Sequence, residues 1–545
     1  MKKLFLGICA FIFVIPVLAQ QRKLTVIDAS SRQPVQGVTI GLPDGKSLLT
    51  DENGQVLLPP GISKALFSSI GYKTANLGIA QDTILLERYN LFLQPVEVRA
   101  LRAGDKAPFA RTNLTAQEIG KQNLGQDLPF LLNQTPSVVV NSDAGNGVGY
   151  TGIRIRGTDA TRINMTLNGI PYNDAESQGL FLVNLPDFAS SVSSIQIQRG
   201  VGTSSNGAGA FGATLNVSTN EFRENAYGEL NNSYGSFNTW KNTVKAGSGL
   251  IGDHFTLDAR LSRISSDGYI DRASSNLSSF YLSAAYLSEK SSLRFNAFSG
   301  KEKTYQAWNG IPQYEAVSNR TYNSAGTEKP GEPYENETDN YQQDHYQLFF
   351  NHFFSEKLSF NTAAFLTRGR GYYEQYKADQ EFSKYGLPNP VVGGESIEET
   401  DLVRQLWLDN YFYGGIYSLQ YKNKGSQLTI GGAYTQYDGR HYGKIIWAET
   451  GIPNGYTWYK NNAHKSDFNL YGKWQQKLSP RWHSFVDLQY RTVGYNIDGF
   501  RDNPGLQTDS RYNFFNPKAG ITYTHNNYTA FASLSVANKE PNRDD

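Results

Sequence analysis

Residues 195–220, IQIQRGVGTSSNGAGAFGATLNVSTN, contain the spacing G-x-G-x-x-G at Gly207, Gly209 and Gly212. In a dinucleotide-binding domain that spacing follows a strand and opens a helix. Ile195 to Gln198 alternates as a strand, and Glu229 stands at a tolerable distance for a ribose-binding acid. The residues after Gly212 decide against such an enzyme, because Ala213-Thr214-Leu215-Asn216-Val217-Ser218-Thr219 is β-prone and poor in helix formers. The glycines therefore read as a tight turn between strands of a β domain.

Working outward, Met1, Lys2 and Lys3 precede an apolar run from Leu4 to Ala19, which gives way at once to Gln20 and Gln21. That is the pattern of a cleaved secretory signal, 1–19, and the run is too short to span a membrane as a helix. The one cysteine, Cys9, lies inside it, so a mature exported chain has no disulfide, thiolate metal site or cysteine nucleophile. Among 545 residues there are 52 Gly, 34 Tyr and 30 Phe, and the net charge is only +1. The charge balance points to no nucleic-acid partner, and the aromatic content excludes disorder. A long β architecture remains.

Three regions follow the signal. Residues 22–93 alternate short apolar runs with turn signals and predict a small antiparallel β-sandwich. Its Pro34 to Val38, Thr50 to Gly54 and Gly71-Tyr72 motifs resemble the carboxypeptidase regulatory-like (transthyretin-like) domain. Next, in 94–114, the extended stretch Pro95-Val96-Glu97-Val98-Arg99-Ala100 precedes a Gly-, Pro- and Lys-containing linker, and it fits either a last sandwich strand or a free segment. Residues 115–220 open with a Thr115–Glu118 capping box and a helix. Ile153 to Gly157 then reads as a strand, Asn164 to Leu167 as its partner, and Asn168-Gly169 as a turn.

From about 226 to 545 the period becomes two. Phe255, Leu257, Ala259 and Leu261 share one face, with Thr256, Asp258, Arg260 and Ser262 on the other; Leu358, Phe360 and Leu366 oppose Ser359, Asn361 and Thr367. A soluble sandwich also alternates, but here tight turns near Gly252, Ser288, Ser355, Asn423, Leu478 and Asn526 alternate with long polar loops, the longest at about 305–340, 374–401 and 442–465. That asymmetry is characteristic of a transmembrane antiparallel β-barrel, with turns in the periplasm and loops outside the cell. About 13 strands are readable, an odd number, whereas bacterial single-chain barrels are usually even-numbered.

The sequence of the middle region is similar to the plug domain of TonB-dependent outer-membrane receptors. The likeness rests on I-R-I-R-G at Ile153 to Gly157, L-N-G-I-P at Leu167 to Pro171, and I-Q-I-Q-R-G followed by G-A-F-G-A-T-L-N-V at Ile195 to Val217. Asn168 departs from it, where many members carry aspartate. The resemblance, of Bacteroidetes type with its N-terminal sandwich, implies an α+β plug inside an incomplete barrel, 226–545, of a chain whose full barrel has 22 strands. The charged end VANKEPNRDD lacks a terminal aromatic, so a C-terminally truncated fragment is expected. The glycines after Asn206 then let the last plug strands pass close to the barrel wall.

What the resemblance implies for function is import without covalent chemistry or cofactor, at the outer membrane of a Gram-negative cell. Its partners are the TonB-ExbB-ExbD energising complex, outer-membrane lipid, an iron-chelate ligand and a surface lipoprotein. Pro95 to Ala100 becomes the TonB box, an extended strand able to add to the edge of TonB's sheet. Tyr172, Asn173, Asp174 and Gln178 at the plug apex, with Tyr305, Trp308, Trp447 and Trp458 in outer loops, are the expected ligand contacts, through stacking and polar reach. Arg156 and Arg199 are expected to pair with carboxylates of the barrel wall. No metal site is expected, and none of the seven histidines precedes His254, which weighs against haem. A receptor for cobalamin, haem, an oligosaccharide or a peptide, or a signal-transducing receptor, remains the alternative. A secreted enzyme lacks a convergent nucleophile and base.

Overall fold

The structure is a computed structural model that describes residues 22–29, 31–69, 72–87, 103–104, 106–207, 211–220 and 222–543. The signal segment and Pro95 to Ala100 lie outside the described residues. Two compact units, 1–93 and 94–545, divide the chain.

The first unit holds β1 (Arg22–Asp28), β2 (Thr39–Gly41), β3 (Ser47–Leu49), β4 (Gln55–Leu58), β5 (Lys64–Ser68), β6 (Ala75–Gly78) and β7 (Thr83–Leu86). They form two sheets, β4-β1-β7 and β3-β2-β5-β6, around Leu24, Val26, Ile40, Leu58, Phe67 and Leu86. One pairing differs from the all-antiparallel expectation, because β1 and β7 run parallel. The intervening β6 belongs to the opposite sheet, so β7 arrives by crossing between sheets, free of a hairpin's constraint. The motif residues here serve the fold: buried Asp28 accepts hydrogen bonds from Ser31 N and the Tyr72 hydroxyl, and Thr50 bridges Val38 N and Val35 O.

The second unit begins with β8 (Arg111–Thr115), α1 (Ala116–Gln122), α2 (Leu128–Leu131), β9 (Val138–Ser142), β10 (Thr151–Ile155), β11 (Ile163–Leu167), β12 (Ile170–Pro171), β13 (Ser194–Arg199) and β14 (Ala213–Ser218). Thr115 caps α1, with Glu118 returning the bond to Thr115 N at 2.8 Å. A five-stranded sheet, β12-β11-β14-β13-β8, carries the core formed by Ile163, Met165, Leu167, Ile195, Ile197 and Leu215. Strand β10 pairs with β9 and not with β11, which corrects the sequence expectation. The chain turns out of β10 at Arg156 and Gly157, both at positive φ, and β11 inserts beside β14, where every residue of both strands is buried.

Around this domain runs a 13-stranded antiparallel sheet: β15 (Tyr227–Gly235), β16 (Thr239–Gly247), β17 (Phe255–Ser266), β18 (Ser275–Leu287), β19 (Ser291–Tyr305), β20 (Thr338–Phe353) and β21 (Leu358–Glu381). After the short hairpin β22 (Val391–Val392) and β23 (Glu395–Ser396), it continues through β24 (Glu399–Asn423), β25 (Ser426–Ala448), β26 (Tyr456–Lys477), β27 (Trp482–Phe500), β28 (Asn503–His525) and β29 (Tyr528–Ser535). All six anticipated turns fall between strands. The two-residue period is realised as inside and outside: Leu257 and Leu261 are exposed, whereas Thr256, Arg260 and Ser262 are buried against the plug side. That is the division between a lipid face and a polar lumen. No helix among the described residues is long and apolar enough to cross a membrane, and a barrel crosses with strands. The outer strands β15 and β29 each pair on one side only among the described residues.

Two expectations change here. Residues 442–465 are mostly strand, forming the end of the β25–β26 hairpin and leaving only 449–455 as a loop. Crossing a bilayer takes about 9–11 residues of tilted strand; β21, β24, β25 and β26 have 22 to 25, so their polar outer halves continue as sheet beyond the membrane. Gly212, in turn, approaches the plug's own Thr158, whose Oγ1 would lie 1.8 Å from an added Cβ, and not the wall. Gly207 does meet the wall, its carbonyl accepting from Gln489 Nε2 at 2.8 Å, Gly209 lies outside the described residues, and a tighter backbone approach is made by Gly300 of β19, where a Cβ would lie 2.1 Å from the Asn184 carbonyl oxygen. Backbone cannot rotate aside as a side chain can. Gly300→Ala is expected to weaken plug seating by about 1–3 kcal/mol, read as earlier urea-induced exposure of the plug to protease, and an unchanged profile would refute it.

Candidate functional site

The plug is fastened to the wall by polar groups whose sign is opposite to that expected. Asp187, held at φ 50 between two 3-10 turns, points its buried carboxylate at Lys241 Nζ (3.0 Å), Thr243 Oγ1 (2.6 Å) and Ser262 Oγ (2.7 Å), while Arg260 donates to its main-chain carbonyl. Burial pushes this carboxyl up, but Arg260 and Lys241 together hold it at about 2. On the far side, Ser204 N donates to Asp487 at 2.8 Å and Gln489 Nε2 donates to the Gly207 carbonyl at 2.8 Å. Asn168 accepts from Thr219 N at 2.8 Å and donates to Gln347 at 3.1 Å. Ionised aspartate could not make that donation, a physical reason for the amide here.

Arg156 and Arg199 do not pair with the wall. Arg156 is exposed, and Arg199 Nη1 donates to the Pro136 carbonyl at 3.2 Å. Both sit at strand ends of the plug, Arg156 exposed to water and Arg199 half-buried against the plug's own Pro136, so neither guanidinium is turned to the wall. Cations facing the plug come instead from inward positions of the barrel strands.

Above the plug, towards the long hairpins, opens a cavity of about 690 Å³. Plug residues Tyr150, Tyr172, Asp174, Phe181 and Asn184 form one wall of it. The barrel contributes, among others, Glu302, Asp339, Tyr341, Tyr372, Tyr373, Trp407, His441, Tyr459, Phe500, Arg501 and Asp502, and Arg543 also lines it. Rings brace one another: Tyr372 lies 4.5 Å from Trp407, which stacks on Tyr442 at 5.6 Å. Glu176, just behind the lining, gathers His441 (2.7 Å), the Tyr437 hydroxyl (2.6 Å) and Arg543 (2.6 Å). Burial raises its pKa, yet His441 and Arg543 bring it to about 2. Arg501 pairs with Asp502 at 2.9 Å, so the cationic side chains of the lining already have carboxylate partners.

The structure brings together only some of the residues singled out from sequence. Tyr172 and Asp174 line the cavity, and Trp308 packs edge-on behind it against Tyr150 (5.5 Å) and Tyr373 (5.9 Å). Asn173 does not reach it, because its amide holds the apical loop through Met165 N, Ile163 O and Gln178 O. Gln178 turns away and donates to the Glu540 carbonyl at 3.0 Å. Tyr305 is buried with its hydroxyl on Tyr334 O, and Trp447 stacks on Tyr376. Trp458 packs against the cluster of Phe382, Tyr385 and Ile445. These three rings therefore organise outer loops. Glu302, Asp339, Tyr341, Trp407 and Phe500 were not singled out. Each lies within or at the end of a strand, where an inward polar or aromatic residue carries no sequence signal that separates cavity lining from ordinary lumen.

Residues 104–214 match the family model described as the TonB-dependent Receptor Plug Domain. No curated protein sequence matches the chain. Among solved structures, the chain resembles the open form of the ferric-catecholate import receptor Fiu from E. coli K12 with a TM-score of 0.61 at 16% identity, over 82% of this chain and 72% of that one. It also resembles the ferric citrate transporter FecA in its unliganded form (TM-score 0.60, 15% identity, 79% and 63% covered). A third is the ferric yersiniabactin uptake receptor FyuA from Yersinia pestis (0.58, 12%, 80% and 66%). The chain thus spans roughly two thirds of the length of these structures. It carries a TonB-dependent receptor plug within a β-barrel of the outer-membrane receptor fold.

Proposed function

We propose that the protein is a TonB-dependent outer-membrane receptor that binds a scarce ligand, an iron chelate, above its plug and imports it when energy delivered through TonB displaces the plug. The observation that carries this reading is the aromatic-lined cavity of about 690 Å³ on the long-hairpin side, floored by a plug that is hydrogen-bonded and ion-paired to the wall. A ligand can bind from outside but cannot pass until those bonds break. That three structures of similar fold are named as importers or receptors of ferric chelates supports the cargo. Pro95 to Ala100 serves as the TonB box, and 22–93 as an accessory sandwich of the regulatory-like type. Cobalamin, haem, glycans and peptides are the competing cargoes.

The test is uptake. Iron starvation is expected to induce the intact gene, and its deletion to reduce uptake of radiolabelled iron chelate to background. Trp407→Ala is expected to weaken chelate binding about tenfold with surface expression unchanged, since it removes a ring of the cavity lining that is braced by Tyr372 and Tyr442, worth about 1–2 kcal/mol. Equal uptake with and without the gene, under induction, would overturn the iron reading.

A further inference from the structure

The charges lining the cavity do not balance locally. Its cations have partners, Arg501 with Asp502, and Arg543 and His441 with Glu176. Its remaining acids do not: among the described residues, no Lys, Arg or His nitrogen lies within 4.0 Å of Asp174, Glu302 or Asp339. Asp174 at least is absorbed locally, accepting from Ser177 N at 2.7 Å and Ser177 Oγ at 2.8 Å.

Glu302 and Asp339 are the unusual pair. Both line the cavity, yet they are only 1% and 8% exposed. They sit on neighbouring strands, with Asp339 opposite Thr304 and therefore diagonal to Glu302. Asp339 accepts the Tyr150 hydroxyl at 2.5 Å, and Glu302 Oε2 has only a long bond from Thr304 Oγ1 at 3.3 Å. Glu302 Oε1 is buried with no hydrogen-bond partner. A buried carboxylate without a counter-charge is costly, and a second one beside it adds repulsion. A cation entering from the cavity would offset both.

We propose that the cavity selects a ligand presenting an organic cation, an ammonium or guanidinium group, to Glu302 and Asp339. Several N–H donors on one group match the free lone pairs of two carboxylates, and Tyr150 and Tyr341 line the same cavity. No three His, Cys, Asp or Glu side chains among the described residues are grouped to hold a metal ion, which favours an organic cation over a bare one. The proposal rests on the cavity being the ligand site. It makes the imported chelate one with a cationic arm.

The test uses the full chain in detergent micelles and two small probes of similar shape and opposite charge, 2-phenylethylammonium and 3-phenylpropionate, followed by saturable change in tryptophan fluorescence. The ammonium is expected to bind at least about tenfold more tightly than the carboxylate. The isosteric Glu302→Gln and Asp339→Asn changes, combined, should remove that preference. Equal or tighter binding of the carboxylate by the wild-type chain overturns the proposal without recourse to any variant. So does an ammonium preference that survives the double substitution in a variant with unaltered melting. Ammonium preference without iron uptake counts against the iron cargo and supports the cation site; iron uptake without ammonium preference overturns the cation site alone.

Discussion

Asp187→Ala is expected to weaken the seating of the plug by about 3–5 kcal/mol, the range found when one partner of a buried ion pair is removed. Its carboxylate is the meeting point of Lys241, Thr243 and Ser262 from the wall and Asn123 and Ser190 from the plug. Truncation leaves Lys241, 2% exposed at its side chain, without its ion-pair partner and three hydroxyls, of Thr243, Ser262 and Ser190, without this acceptor. The measurement is conductance across planar bilayers in rising urea: the variant should open at a lower concentration than wild type. Adding Lys241→Met should recover part of the loss, because removing both charges is far less harmful than stranding one. An opening threshold equal to that of wild type would sink the assignment. The pH dependence has a definite sign. The carboxyl is depressed from 3.8 to about 2, so its contribution is fully present above about pH 4 and is lost as pH falls through about 2. Asp187→Asn should remove that part of the acid sensitivity.

The same residue shows what sequence could and could not supply. An aspartate after Leu185-Pro186 in a loop looks like any turn residue, and its wall partners lie more than fifty positions away on strands β16 and β17. Arginines at strand ends were the visible cations of the plug, but burial and not residue type decides which charges meet, and the burying strands are not sequence neighbours. Local signals fared differently. The alternation at Phe255 to Ser262, the Thr115–Glu118 cap and the tight turns near Asn423 and Asn526 depend on a few adjacent residues, and the structure has them where they were expected.

The cavity occupies an intermediate position. Tyr172 and Asp174 were legible because they lie in an irregular polar loop between strands. Tyr341, Trp407 and Glu302 lie inside strands whose period is satisfied equally by lipid-facing girdle or lumen. Only register tells the two apart, and register was fixed by pairings between neighbouring strands, not by any residue alone. The misjudged loop at 442–465 has the same origin, since a hairpin beyond the membrane is polar on both faces and loses the alternation that marks a strand.

Deleting Pro95 to Ala100 is expected to reduce energised uptake to background while leaving chelate binding unchanged. The reason lies in what the following chain is attached to. Among the described residues strand β8 is the edge of the plug sheet and pairs only with β13, from Arg111 opposite Gln198 to Thr115 opposite Ser194. Just before it, Phe109 packs edge-on against Phe485 of the wall at 5.0 Å, beside the short turn between β26 and β27. Tension applied from the N-terminal side therefore meets first the two hydrogen bonds between Ala103 and the Gln196 side chain of β13, at 2.9 and 3.2 Å, then the Phe109 contact, and then an edge strand. An edge strand separates from one neighbour only, whereas pulling on a central strand such as β14 would break two ladders at once. A segment that adds to a partner's sheet through its backbone is the handle such a path requires. The rival reading, a last strand of the sandwich, predicts a different result: deletion would lower the melting temperature of 22–93, whose described sheets are built from β1 to β7. Uptake and sandwich melting measured on the same deletion therefore separate the two. Normal energised uptake would remove the TonB-box assignment, and unchanged melting with abolished uptake is the outcome expected.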